Sequence, residues 1–345
     1  MRHVATNDDW LALTNETALE PGLPICDPHH HLWDFKHERV APRYMLDEIL
    51  EDINGSGHNV VSTVFIECST MYRTDGPEPM RAIGETEFAN GIAAMSASGL
   101  YGPTRVAAGI IGTADLTLGT TVGAVLDAQI AAGGGRFRGI RHGVKWDASD
   151  IIPNARSNSP PGLFLDGKFR EGFAQLARRD LTFEGWCYHP QIPELTDLAR
   201  AFPDTTIIVN HFAGPLGVGP YADKADAVFA QWRADFAELS SCANVVAKLG
   251  GLNMDFNGYR WHQRKKPPTS QELLAATRRY FDHALGHFGV ERCMFESNFP
   301  VDKLSCSYAV VWNSFKRLTA EYSAAEKAAL FHDTATRIYR LGGQQ

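Results

Sequence analysis

The chain has 345 residues, of which 44% are hydrophobic and 21% charged, a composition typical of a globular protein with a large core. Its 40 acidic and 33 basic residues give a net charge of −7 without a basic block, which argues against nucleic acid or a membrane surface as a partner. The N-terminal residues lack the basic and apolar regions of a signal peptide, so we expect a cytoplasmic protein.

Eight β-rich segments follow one another along the chain, with intervals long enough for one helix each. Near-continuous apolar runs such as 60–66 are typical of parallel strands buried on both faces. In chain order, the segments are ICDPHHH (25–31), NVVSTVFIEC (59–68), RVAAGIIGTADL (105–116), RFRGIRHGV (136–144), LTFEGWCY (181–188), TTIIVNHF (205–212), NVVAKLGG (244–251) and RCMFESNF (292–299).

The intervals between these segments show helical periodicity. Segment 269–289 has an apolar stripe with a 3.6-residue period, and Thr269 with Glu272 forms a capping box at its start. Segments 169–180 and 323–343 have the same kind of apolar face. The chain therefore alternates between strands and helices from its first strand to its last helix.

This alternation predicts an α/β protein, a single (β/α)8 TIM barrel that covers residues 1–345 as one domain, with residues 1–23 as an N-terminal extension. The intervals after strands 2, 4 and 7 are longer than a helix requires, and we expect extended loops there: 69–81, 146–162 and 252–269. In such barrels the loops that follow the strands build the active site.

Histidines stand at the ends of three predicted strands. Alternation along the first strand sends His29 and His31 to one side and His30 to the other. His189 and His211 follow the fifth and sixth strands, and a barrel would bring them to the same mouth. Four imidazoles around one point suit Zn²⁺ or a similar ion, whose catalytic sites keep one position open for water.

Three motifs carry a resemblance to a known family: DPHHHLWD, VNHFAG and CMFESNFPVD. In this order and spacing they resemble the amidohydrolase superfamily, in the branch of amidohydrolase-2 type TIM-barrel hydrolases related to sugar lactonases and 2-pyrone-4,6-dicarboxylate lactonase. The resemblance covers about residues 24–341. It implies that His29, His31, His189 and His211 hold one divalent metal ion, zinc before others, although related lactonases also work without a metal.

The last strand departs from the family's pattern. Asn298 stands where the resemblance implies an aspartate that takes a proton from water, and an asparagine cannot act as a base. General-base assistance is worth about 10²–10⁴ in rate, so an active enzyme needs a substitute. Glu296 and Asp302 are the nearby carboxylates, and we predict both as members of the catalytic site, with His29, His31, His189, Asn298 and Lys248.

Other polar residues fall on the same rim. Lys248 ends the seventh strand, and its charge needs a partner if it is buried. Guanidinium and ammonium groups can hold a substrate carboxylate. We predict that the substrate-binding residues are Glu67, Arg73, Arg141, Lys145 and Arg260.

The leading functional hypothesis is a hydrolase, a lactonase that opens a cyclic ester of a small polar or carboxylated substrate. Two alternatives remain open at the level of sequence. One is a metal-dependent decarboxylase or hydratase of an aromatic or enol acid, and the other is a barrel that has lost its base at Asn298 and only binds a ligand. The expected partner is a small molecule, with a homo-oligomer possible.

Overall fold

The computed structural model describes residues 7–36, 41–155 and 159–342. Residues 1–6 of the predicted extension and 156–158 of the predicted loop after the fourth strand lie outside these ranges. Within them, eight parallel strands pair in the order β1 to β8, which confirms the predicted barrel. The strands are β1 Pro24–His30, β2 Asn59–Ile66, β3 Arg105–Gly112, β4 Phe137–Arg141, β5 Thr182–Gly185, β6 Ile207–Val209, β7 Val245–Leu249 and β8 Cys293–Phe295.

Helices surround the strands. Thr269 accepts a hydrogen bond from the backbone N–H of Glu272, as the capping box predicts. In chain order the helices are α1 Asp8–Leu11, α2 Leu46–Ser56, α3 Ile83–Ala97, α4 Val122–Ala132, α5 Gly167–Ala177, α6 Ile192–Ala201, α7 Ala225–Ser240, α8 Ser270–Phe288, α9 Tyr308–Leu318, α10 Ala324–Ala328 and α11 Thr334–Ile338. A π-helical turn, Ala329–Asp333, joins α10 to α11, so the predicted last helix is continuous but ends earlier than the sequence pattern suggests.

The barrel closes where the chain beyond β8 meets β1. The backbone N–H of His31 donates to the carbonyl of Phe299 at 2.8 Å, and the N–H of Asn298 donates to the carbonyl of His29 at 3.0 Å. Asp27 strengthens the same seam, because its carboxylate accepts from the Ser297 hydroxyl at 2.6 Å and the Tyr308 hydroxyl at 2.9 Å. This closure brings the histidines of β1 beside the residues that follow β8.

The described part of the predicted extension, residues 7–23, packs on the barrel. Trp10 Nε1 donates to the carbonyl of Arg264, and Thr14 Oγ1 donates to the carbonyl of Pro267. None of the helices in the described ranges combines the length and the apolar character that a membrane span requires.

Candidate active site

A cavity of about 1520 Å³ opens at the carboxyl ends of the strands. Segments that follow each of the strands contribute to its lining, as expected for the mouth of such a barrel. Of the residues predicted from sequence, seven line it: His31, Glu67, Arg141, Lys145, His211, Arg260 and Asn298.

Three imidazoles meet at the base of this cavity. The Nε2 atoms of His29 and His31 are 3.3 Å apart, and the ring centroids of His211 and His29 are 4.4 Å apart. His30 points the opposite way and contacts the Thr63 hydroxyl at 2.8 Å, so the strand alternates as expected. Burial lowers the pKa values of His29, His31 and His211 well below the ordinary value, so the three rings are neutral.

Glu296 joins two of these rings. Its Oε1 lies 2.6 Å from His211 Nδ1, and its Oε2 lies 2.8 Å from His29 Nδ1. The carboxyl group is fully buried, and burial raises its pKa to about 8 against the opposing charges of Lys248 and Arg141. Oε1 therefore orients the His211 ring through a hydrogen bond, whereas Oε2 lies close to His29 without forming one.

Two glycines after β7 make room for this arrangement. A Cβ atom on Gly250 would lie 2.5 Å from Glu296 Cγ, and one on Gly251 would lie 2.2 Å from His211 Nδ1. Gly251 also has a φ of +68°, which a glycine adopts without strain. The sequence LGG at the end of β7 is thus a requirement of the imidazole cluster.

The donor set fits a small divalent ion. His31 Nδ1 faces the carbonyl of Ile66 at 2.8 Å, which places its proton on Nδ1 and leaves a lone pair on Nε2. The guanidinium of Arg141, which can only donate, faces His29 Nε2 at 3.4 Å, and a lone pair on that atom meets the one on His31 Nε2 at 3.3 Å. That separation is the edge of a tetrahedron around an ion with Zn–N bonds of ~2.0–2.1 Å.

The facing Nε2 atoms of His29 and His31 can also share a hydrogen bond instead of an ion. With its proton on Nε2, His29 can donate to His31 Nε2, and its Nδ1 can then accept from Lys248, 3.4 Å away. A metal ion would displace that proton, because ligands must give up their protons when they bind. Ligand atoms of His29, His211 and Glu296 also lie within 4.8 Å of one another, so these three form an alternative donor group.

Arg141 lies beside the same imidazole nitrogen. Its Nε donates to Glu67 Oε1 at 2.6 Å, its Nη2 donates to the backbone carbonyl of Glu67 at 2.5 Å, and its Nη1 lies 3.4 Å from His29 Nε2. Glu67 thereby fixes the guanidinium plane. The Arg141 guanidinium lines the cavity, and its N–H groups can face negative charge that develops on a substrate.

Asn298 and Asp302 form one unit at the end of β8. Asn298 has a φ of +57°, a conformation that asparagine tolerates better than most residues. Its Nδ2 donates to Asp302 Oδ1 at 2.8 Å. Asn298 lines the cavity, whereas Asp302 is fully buried behind it, and burial raises the pKa of Asp302 to about 7.

One wall of the cavity is aromatic and apolar. Trp186, Met254 and Phe256 line it, and the edge of Trp186 packs against the ring of His211 with centroids 4.7 Å apart. The Lys145 ammonium lies over the rings of Trp186 and Phe256, at 5.1 and 5.9 Å from their centroids. This wall was not predicted from the sequence, although Trp186 directly follows β5 and so stands at the barrel mouth.

Lys248 has a partner that the sequence analysis missed. Its Nζ lies 2.8 Å from Oε2 of Glu184, which belongs to β5, and 3.4 Å from His29 Nδ1. Both side chains are fully buried. The sequence does contain a feature that points to this partner: LTFEGW has a single carboxylate inside an apolar strand. A buried carboxylate needs a partner for the same reason as a buried lysine.

Two predicted site residues lie elsewhere. His189 is four residues beyond the end of β5, and the chain has already turned away there, so its Nδ1 faces the N–H of Leu216 and its ring packs on Tyr221. It is not among the residues that line the cavity within the described ranges. Arg73 is also outside the lining, because its guanidinium pairs with Glu87 on the surface.

Comparison with known proteins identifies relatives over nearly the whole chain. The family model Amidohydrolase matches residues 26–341. The uncharacterized protein y4mH of Sinorhizobium fredii is 32% identical over 339 residues, which is 92% of this chain and 99% of that protein. An L-fucono-1,5-lactonase of Burkholderia multivorans is 29% identical over 209 residues, 60% of this chain and 64% of the enzyme.

Solved structures share the fold. An amidohydrolase from Burkholderia multivorans with bound zinc has a TM-score of 0.69 at 24% identity, covering 92% of this chain and 99% of that one. A 2,6-dihydroxybenzoate decarboxylase from Rhizobium has a TM-score of 0.53 at 13% identity, covering 95% of this chain and all of that one (100%). At these identities the likeness concerns the fold alone, and it does not separate hydrolysis from decarboxylation.

Proposed function

The chain belongs to the amidohydrolase family, and we propose that it is a lactonase that opens a cyclic ester by attack of water at the barrel mouth. One observation carries this proposal: the Nε2 atoms of His29 and His31 converge at 3.3 Å at the base of a large cavity. Such a pair can activate an acyl carbonyl through a shared cation. The lactonase name of one relative supports the choice of a cyclic ester as substrate.

His29 and His31 would hold a divalent ion, and zinc suits neutral imidazole donors. When bound, such an ion polarises an acyl oxygen and lowers the pKa of water. Glu296 lies 2.8 Å from His29 Nδ1 and holds the neighbouring His211 ring by a hydrogen bond to its Nδ1, so it supports the cluster from behind.

The protein's own groups divide the remaining work. Arg141, fixed by Glu67, stabilises the charge that develops on the carbonyl oxygen. His211 accepts the proton of the attacking water on Nε2, since Glu296 engages its Nδ1 and stabilises the imidazolium that forms. The same imidazolium returns the proton to the ring oxygen as the bond between the acyl carbon and that oxygen breaks. Asn298, held by Asp302, orients the water without acting as a base. The His211–Glu296 pair would thus replace the aspartate that is absent from β8.

The outer part of the cavity suits a substrate with a carboxylate. Lys145 and Arg260 line it on the side of the loops after β4 and β7. The aromatic wall of Trp186 and Phe256, whose rings are tilted by 44° to each other, offers an apolar surface for a ring. We propose a lactone that carries a carboxylate or several hydroxyl groups, bound with its ring against this wall.

The test is turnover of a panel of sugar and dicarboxylate lactones by the purified protein, with and without added Zn²⁺. We expect hydrolysis by the wild type and a loss of at least about a hundredfold in His31→Ala, in line with removing one partner of a catalytic pair. Equal turnover by the two proteins would contradict the proposal.

The same preparation separates the alternatives. Release of CO₂ from a hydroxybenzoate panel without lactone hydrolysis would indicate a decarboxylase. Ligand binding without any turnover, together with activity that appears only in Asn298→Asp, would indicate a barrel that binds but no longer catalyses.

A further inference from the structure

A buried polar column lies beneath the imidazole cluster. It consists of Glu184 from β5, Lys248 from β7 and Tyr339, which follows α11, and all three are fully buried. The interior of such barrels is ordinarily filled with branched apolar side chains. An ion pair in that position carries a large desolvation cost, and apolar residues of the same volume are often at least as stable. Stability alone therefore does not explain the pair.

The Glu184 carboxylate is held from several sides. Its Oε2 lies 2.8 Å from Lys248 Nζ and also accepts from Asn210 Nδ2, while its Oε1 accepts from the Tyr339 hydroxyl at 2.5 Å. Three side-chain donors thus hold this carboxylate, and the face of the Tyr339 ring also lies 5.3 Å from Lys248 Nζ. The negative charge is therefore held in contact with the Lys248 ammonium group.

Lys248 reaches the imidazole cluster from below. Its Nζ is 3.4 Å from His29 Nδ1, on the ring whose Nε2 faces His31. An uncompensated ammonium group there would repel a divalent cation, strongly so in a site without water. Glu184 is the carboxylate in direct contact with that ammonium group.

We propose that Glu184 is a positioning residue that neutralises Lys248 and so permits His29 and His31 to hold a divalent ion. Tyr339 and Asn210 serve this role by fixing the carboxylate. The C-terminal segment after α11 is thereby part of the site's construction. This inference rests on the metal-binding part of the proposed function.

The experiment is a double-variant cycle read by Zn²⁺ affinity in competition with a chromophoric chelator, without any activity assay. Glu184→Gln removes the carboxylate in direct contact with Lys248, and we expect at least about a tenfold loss of affinity, the size typical of removing a group that supports a ligand. Lys248→Met should raise the affinity. The double variant removes both charges and should return to within about threefold of the wild type.

Glu16→Gln is the matched control. Glu16 accepts from the Ser270 N–H and from Asn313, far from the cavity, so its loss should lower stability and leave Zn²⁺ affinity unchanged. If Glu184→Gln does not fold, the comparison of Lys248→Met with the double variant still isolates the charge of Glu184, and the single variant should bind at least about tenfold more tightly.

Wild-type affinity in Glu184→Gln, or a double variant as weak as the single one, would overturn the inference. A wild type that takes up no Zn²⁺ would overturn it as well. In that case lactone hydrolysis is still measured by the formation of its products, so the two proposals can fail independently.

Discussion

The amide nitrogen of Asn298 donates a hydrogen bond of 2.8 Å to the carboxylate of Asp302, and only the asparagine of this pair lines the cavity. An aspartate at position 298 would place two carboxylates in contact. The asparagine is therefore matched to Asp302, and the missing acid of β8 lies one layer behind the surface of the cavity.

From this pair we expect Asn298→Asp to lower turnover by about tenfold or more, because a hydrogen bond to a charged group contributes about 1.5–3 kcal/mol. The measurement is kcat on the best lactone of the panel. Asn298→Ala is the control that removes the donor without adding a charge, and it should lose less. A gain of activity in Asn298→Asp would show that the native asparagine impairs catalysis.

Metal binding should also be visible as stability. A ligand that binds only the folded state adds about 2.7 kcal/mol at a free concentration of 100 times its Kd. We expect Zn²⁺ to raise the thermal midpoint of the wild type after treatment with a chelator, and to leave that of His31→Ala unchanged. An equal rise in both proteins would place the ion outside the pair formed by His29 and His31.

His211 and His189 were both predicted as site residues, and their positions predict different effects on kcat when each is replaced. His211 lies in the cluster with Glu296, whereas His189 lies against Leu216 and Tyr221. We expect His211→Gln to reduce kcat by about 10²–10⁴, the range typical of losing a general base. His189→Gln should retain kcat. The opposite order would restore the role that the sequence suggested for His189.

The sequence was sufficient for features that follow from local rules. Strand alternation places His29 and His31 together because neighbouring side chains on a strand point to opposite faces, and β1 extends through His30. The order of strands and helices follows from their periodicities. The capping box of α8 is likewise local, since Thr269 and Glu272 are three residues apart.

Features that depend on distant segments could not be derived in this way. The location of His189 depends on where β5 ends, at Gly185, and on the direction of the turn that follows. The partner of Lys248 lies 64 residues away, across the barrel. Arg73 is prevented from reaching the cavity by Glu87, a partner supplied by the folding back of α3 on the loop.

The final prediction concerns pH and the buried Glu85 of α3. Its Oε1 accepts from the N–H groups of Cys68 at 2.8 Å and Thr70 at 3.0 Å, and so holds the start of the loop after β2. Burial raises its pKa from 4.5 to about 8, with the negative charge of Glu67 as a further cause.

The sign of the effect follows from proton binding. Between about pH 4.5 and 8 the folded protein holds the proton on Glu85 while the unfolded chain has lost it, so this group's contribution to stability falls as pH rises through that range. Glu85→Gln keeps an oxygen that can accept both N–H groups and removes the proton exchange. We therefore expect the variant to equal the wild type in free energy of unfolding near pH 4 and to exceed it near pH 9, measured by urea denaturation. A difference that does not depend on pH would mean that Glu85 is ionised in the folded protein, and its two backbone hydrogen bonds would then outweigh its burial.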